Sequence, residues 1–480
     1  MRRPRATLFR GCSPEVAAGP EGTILAVGEG ARAAAGRDAE VIEIRGKVLP
    51  GLHDAHLHLE WLALRNLTVD LQGVTSRRES LARIRSWAEK LPAGAWVVGR
   101  GWYNDAWRDD PAWPRPEELD DVAGGRPAIL TRKDGHSAWL STAAVRAAQL
   151  RPEDQGPPGT VKESQMQAVR AVVPEPSEAA FDRGMLGALR ALSRKGITSA
   201  HTMDTPRAFR SFQRLHATGR LPLRVTWNFP AAELAAAERI GLRSGWGDDM
   251  LRIWGVKAFL DGSLGSRTAE MLDGSGVVVL PQDELTALVA RCAAAELNVC
   301  LHAIGDGAVR RALDALQPHA GAWRYWRPRI EHAQCVDPAD VPRFRQAGAI
   351  ASMQPIHAVA DRDLADREWP GRTVHSYAWR PLLDSGAVLA FGSDAPVEDA
   401  APLLGIDAAT AWRRRAGWHP ELALPRSAAV RAYTVGAAYA AGMERRLGRL
   451  AMGMLCDFTA VDGDRVTAAV VGGRVSWRRA

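Results

Sequence analysis

PGLHDAHLHL, residues 50–59, is an apolar run carrying histidines at positions 53, 56 and 58. Side chains two residues apart on a β-strand point the same way, so His56 and His58 can grip one ion together. His53 has the opposite parity and should point away. Asp54 shares the parity of the pair and is placed to orient a ligand imidazole. Four more short apolar runs end close to a side chain of the same kind: LRIWGVKAFLD (251–261) at Lys257, NVCLHAIG (298–305) at His302, RPRIEHAQ (327–334) at His332 and VLAFGSDAP (388–396) at Asp394. Imidazoles with one carboxylate are the ligand set that Zn²⁺ and similar divalent metals prefer.

Three further runs complete a series of eight: GITSAHTMD (196–204), LRVTWNF (223–229) and AIASMQPI (349–356). Helix-favouring stretches rich in Ala, Leu and Arg lie between them, as in residues 283–297 and 307–316. Strand–helix alternation closing on eight strands predicts an α/β fold, a (β/α)8 TIM-like barrel with its chemistry at the strand C-terminal ends. The candidate ligands fall at those ends, on strands one, four, five, six and eight.

Lys257 is the unexpected member, because an ammonium cannot ligate a cation. It fits if its amine has captured CO2, since a carbamate is an anionic oxygen ligand able to bridge two metals. Arginine, permanently protonated, cannot do this. Only six of the 62 basic residues are lysines, so one placed at the end of an apolar strand is not charge decoration. The alternatives are an ion pair with Asp261, or a one-metal site with Lys257 left as an amine.

The order His-x-His, Lys, His, His, Asp resembles the binuclear class of the amidohydrolase superfamily. Longer phrases resemble amidohydrolase family 3, which includes N-substituted formamide deformylases. They are PGLHDAHLHL, GRGWYNDAW (99–107), DGHSAW (134–139), VKAFLDGSLGSRTA (256–269), LHAIGDGA (301–308), RIEHAQ (329–334), SMQPIH (352–357) and FGSDAPV (391–397). The resemblance runs from about residue 40 to the C-terminus. It implies that His56, His58 and Asp394 hold one metal, that His302 and His332 hold the other, and that carboxylated Lys257 bridges them. The implied cofactors are two Zn²⁺ ions and a CO2-derived carbamate. Asp394 would also be the catalytic acid–base, taking the proton of the attacking water and passing it to the leaving nitrogen. The implied activity is a metal-dependent hydrolase that attacks a carbonyl with metal-bound hydroxide, cleaving a non-peptide C–N bond of an amide or N-acyl compound. The rivals are an ester or carbamate hydrolase on the same site, and a non-catalytic binding or regulatory barrel.

Residues 1–48 and 448–480 hold short strand-like runs, neither long enough to fold alone. The resemblance implies that the two ends pair into a small β-sandwich beside the barrel (49–447). Residues 60–190 form an inserted, lid-like subdomain after the first strand. Residues 96–139 carry five of the 17 tryptophans, the mark of a subdomain core or of an aromatic pocket. Trp102 and Trp107, in a Gly-rich turn, are the candidates for facing the metals, with Trp102 expected to bind substrate. His136 would reach the substrate from the insertion. Gln354 and His357 face the mouth after strand seven, and Arg267, after strand four, would bind a polar substrate end.

The net charge of +7 is carried almost wholly by arginine, with no basic stripe interleaved with aromatics, which argues against nucleic acid as a partner. There is no apolar run of membrane-spanning length and no signal-peptide pattern at the N-terminus. Five cysteines without framework spacing fit a reducing cytoplasm. The expected partner is a small-molecule substrate, with no nucleic acid and no membrane; a homo-oligomer is compatible with the sequence.

Overall fold

The computed structural model describes residues 5–133, 137–151 and 160–480, apart from the side chains of residues 162–167. It divides into two compact units, residues 1–60 with 188–480, and residues 61–187.

The larger unit is built on eight parallel strands in chain order: Leu52–Leu57, Ile197–Thr202, Arg224–Pro230, Leu251–Phe259, Asn298–Ala303, Arg329–His332, Ile350–Met353 and Val388–Phe391. Each pairs in parallel with its predecessor, as the alternating pattern predicts. The near-continuous apolar runs follow from this, because a parallel barrel strand is covered on both faces. The ring closes between the eighth strand and the first. Just beyond the eighth strand, Asp394 N–H donates to the His56 carbonyl (2.7 Å), and His58 N–H donates to Ala395 (2.8 Å). Gly392 permits this closure, since a Cβ there would lie 2.4 Å from the His56 nitrogen. Closure and candidate site therefore share His56, His58 and Asp394.

Helices return the chain between strands. Asp306–Leu316 buries Val309, Ala312, Leu313 and Leu316, the stripe that helical periodicity predicts. The helix expected over 283–297 runs Gln282–Ala294 instead. Glu296 takes a left-handed conformation (φ 54°), and Leu297 N–H turns back to Cys292 O, ending the helix before the next strand.

Both chain ends meet in one seven-stranded sheet. Phe458–Asp462 pairs antiparallel with Glu40–Pro50, and Phe9 packs edge-on against Phe458 (5.0 Å). Arg224 on the third barrel strand makes a buried two-point ion pair with Asp457 (2.7 Å each), tying this sheet to the barrel.

The second unit is a five-stranded sheet, Val69–Asp70, Val97–Trp102, Ala128–Arg132, Ser137–Leu140 and Thr160–Lys162 in spatial order. Trp102, Trp107 and Trp139 are buried in its core, with Trp113 against them. Trp102 has no exposed surface, lies 5.8–6.2 Å from those three rings and donates its indole N–H to Leu130 O (2.6 Å). This corrects the expectation that Trp102 faces the substrate. The tryptophan density is a subdomain core, because the small sheet needs large apolar side chains to bury enough surface.

Candidate functional site

Register brings the candidate side chains to one end of the barrel. Phe259 pairs with His302 across strands four and five, and Ala303 pairs with His332 across strands five and six. The imidazole of His56 lies 5.5 Å from that of His58 and 4.7 Å from that of His332, which is 4.5 Å from His302 and 6.3 Å from His357. Asp394 follows the eighth strand, beside the first strand at the barrel seam. Its Oδ1 lies 3.1 Å from His58 Nε2 and 3.6 Å from His56 Nε2, and its Oδ2 lies 3.3 Å from His357 Nε2. Among the described residues two groups have the spacing to hold an ion: His56, His58 and Asp394, and His332, His357 and Asp394.

The backbone is strained where these groups are presented. His332 (φ 73°) and Asp394 (φ 61°) are non-glycine residues in the left-handed region. Such conformations cost about 1–3 kcal/mol each and cluster where side-chain direction matters more than stability.

Burial favours the neutral, ligating form of three of the imidazoles, His56, His302 and His332. Burial, aided by the nearby Lys257, pushes His56 down to about 4 and His302 down to about 3. Burial and the neighbouring His302 and His56 hold His332 well below its ordinary range. Asp394 resists the upward push of burial, because His357 and His58 hold its carboxyl well below the usual carboxylate range. Burial lowers Lys257 from its ordinary value, and its Nζ has no hydrogen-bond partner among the described residues. The alternative of an ion pair with Asp261 is not formed. That carboxylate instead accepts from the backbone N–H groups of Glu270, Ile304 and Gly305 at 2.9–3.0 Å for each closest contact.

The structure adds two residues that the sequence reading passed over. Glu331, wholly buried, accepts the Nδ1–H of His56 at 2.6 Å. Arg329, also wholly buried, pairs with Glu331 (2.7 Å) and reaches His201 Nδ1 (3.2 Å). Burial opposes the charge on Glu331, yet Arg329 and His56 hold it well below the ordinary range. Two charged residues of equal parity flanking Ile330, in a strand buried along its whole length, were the available signal. Asp54, expected to orient an imidazole, instead accepts from the backbone N–H of His56 (3.1 Å) and of Ser393 (3.0 Å), pinning the barrel seam.

Of the other expected substrate contacts, Gln354 is buried with its Oε1 2.8 Å from His332 Nδ1, which fixes that ring. His357 sits against Asp394. Arg267, on the loop after strand four, has φ 59°, keeps 67% of its side chain exposed and pairs with Glu368 (3.1 Å). His136 lies outside the described residues. His53 is buried against His201, away from Asp394 and its partners.

The donor set suits a divalent metal: neutral imidazoles, an ionised carboxylate, and two buried polar atoms, His56 Nε2 and Lys257 Nζ, without hydrogen-bond partners among the described residues. An eight-stranded barrel with such a mouth defines a class of metal-dependent hydrolases. The chain belongs to the amidohydrolase family, whose model matches residues 40–471. It is 31% identical to Protein LONG AFTER FAR-RED 3 of Arabidopsis thaliana, over 87% of this chain and 78% of that one. It is 25% identical to an N-substituted formamide deformylase of Arthrobacter pascens, over 91% and 88%. The crystal structure of an uncharacterized metal-dependent hydrolase from Pyrococcus furiosus superposes with a TM-score of 0.79 at 29% identity, covering 95% of this chain and 99% of that one. Among the described residues no helix is long and apolar enough to cross a membrane.

Proposed function

We propose that this protein hydrolyses a non-peptide C–N bond in an amide or N-acyl compound, at a binuclear zinc site bridged by carboxylated Lys257. The observation that carries the reading is Lys257 itself, whose buried amine is left without a hydrogen-bond partner among neutral imidazoles and an ionised aspartate. An unprotonated amine is the form that attacks CO2; a C–N bond forms, the nitrogen loses a proton, and the product is an anionic carbamate. His56, His58 and Asp394 would take one ion, and His302 and His332 the other. When bound, the metals lower the pKa of a water to about 7 and polarise the substrate carbonyl.

The chain's own residues supply the rest. Glu331 accepts from His56 Nδ1 and thereby keeps Nε2 free to ligate. Gln354 does the same for His332. Asp394, held by His58 on one oxygen and His357 on the other, is ionised and suited to accept the proton of an attacking water. It would then deliver that proton to the departing nitrogen, completing the transfer without a second acid. The likeness to a formamide deformylase supports a C–N substrate.

The test is metal content together with kcat/KM on an amide and an ester sharing one acyl group. Metal-dependent amide turnover is expected. Turnover of the ester alone would replace the amidase reading with an esterase one.

A further inference from the structure

Phe259 is the last residue of the fourth barrel strand, two positions beyond Lys257 and therefore on the same face. The seven residues before it are buried or nearly so, yet Phe259 leaves 49% of its surface exposed. Its ring centre lies 4.8 Å from Lys257 Nζ and 5.1 Å from the ring of His302. An aromatic ring is costly to leave in water, and this one stands against two of the groups assigned to the metal site. The ring is close enough to those groups to touch a substrate held by them.

We infer that Phe259 is a specificity-determining residue whose open face selects substrates carrying an apolar, preferably aromatic, group within a bond or two of the scissile carbonyl. This rests on the metal-hydrolase reading of the site and replaces Trp102 as the aromatic contact. A flat hydrocarbon laid on the ring removes apolar surface on both partners from water and gains an offset aromatic contact. A small acyl group such as acetyl leaves most of the ring wet, and a charged one loses solvation against it. Covering half a phenylalanine in this way is worth roughly tenfold to fiftyfold in affinity.

The test uses binding rather than turnover, so that it stands whether or not amides prove to be substrates. Benzohydroxamate and acetohydroxamate present the same chelating head and differ only in the group on the carbonyl. Their Kd ratio is measured by calorimetry on the metal-loaded full chain, for wild type, Phe259→Ala and Phe259→Leu, with metal content read on each sample. The wild type should favour benzohydroxamate, Phe259→Ala should erase about tenfold of that ratio, and Phe259→Leu should fall between. An unchanged ratio in both variants would overturn the inference. Parallel loss of metal and of both affinities would also overturn it, assigning the ring to support of His302. Failure of the amide reading would show separately, as hydroxamate discrimination in a protein that turns over no amide.

Discussion

The carboxylate of Glu331 receives the Nδ1–H of His56 at 2.6 Å, both side chains wholly buried inside the barrel. Behind it, Arg329 pairs with Glu331 and donates to the Ala55 carbonyl, so one strand-six pair fixes both the ring and the backbone of strand one. An imidazole held this way has one tautomer and one orientation, and its free nitrogen is a better donor.

Glu331→Gln should therefore weaken metal binding by about tenfold to a hundredfold. It also strips Arg329 of its buried counter-charge, which costs about 3–5 kcal/mol. Competition with a chelator reads the first effect and denaturant unfolding the second. Wild-type affinity in the variant would show that His56 needs no such support.

Gly392 sits where the eighth strand meets the first. A methyl there meets the His56 nitrogen at 2.4 Å and Asp54 Oδ1 at 2.7 Å, both held by the barrel seam. Gly392→Ala should cost about 1–3 kcal/mol or more and displace the His56 backbone, lowering metal content as well as stability. A variant with unchanged unfolding midpoint and full metal would mean the seam is not rigid.

Trp102→Ala should behave as a core deletion, costing about 3–5 kcal/mol. If the indole serves the core alone, KM for aromatic and aliphatic substrates should change by the same factor. A selective rise for aromatic substrates, with stability intact, would return Trp102 to substrate binding.

The barrel was legible because its strands are short apolar runs bounded by polar turns, and because parity on a strand tells which histidines share a face. Parity separates His56 and His58 from His53. It could not separate a tryptophan cluster serving a core from one lining a pocket, since Trp102 has the same composition around it in either case. Glu331 escaped notice because buried charge is scarce, and the strand RPRIEHAQ reads as a carrier of His332 alone. Its partner His56 is 275 residues away in the chain, and only barrel closure brings the two together. The end of the 282–294 helix was missed for a local reason: Glu296 is a good helix former that here adopts a left-handed turn.

Lys257 carries the central claim, and metal per chain in Lys257→Ala measures it most directly. The substitution removes the only proposed anionic bridge while leaving five ligands in place. Metal content and amide turnover should both collapse, and a short carboxylic acid such as propionate should partly restore both by filling the vacated position. A Lys257→Ala protein that keeps two metals per chain and full turnover would contradict the carbamate bridge.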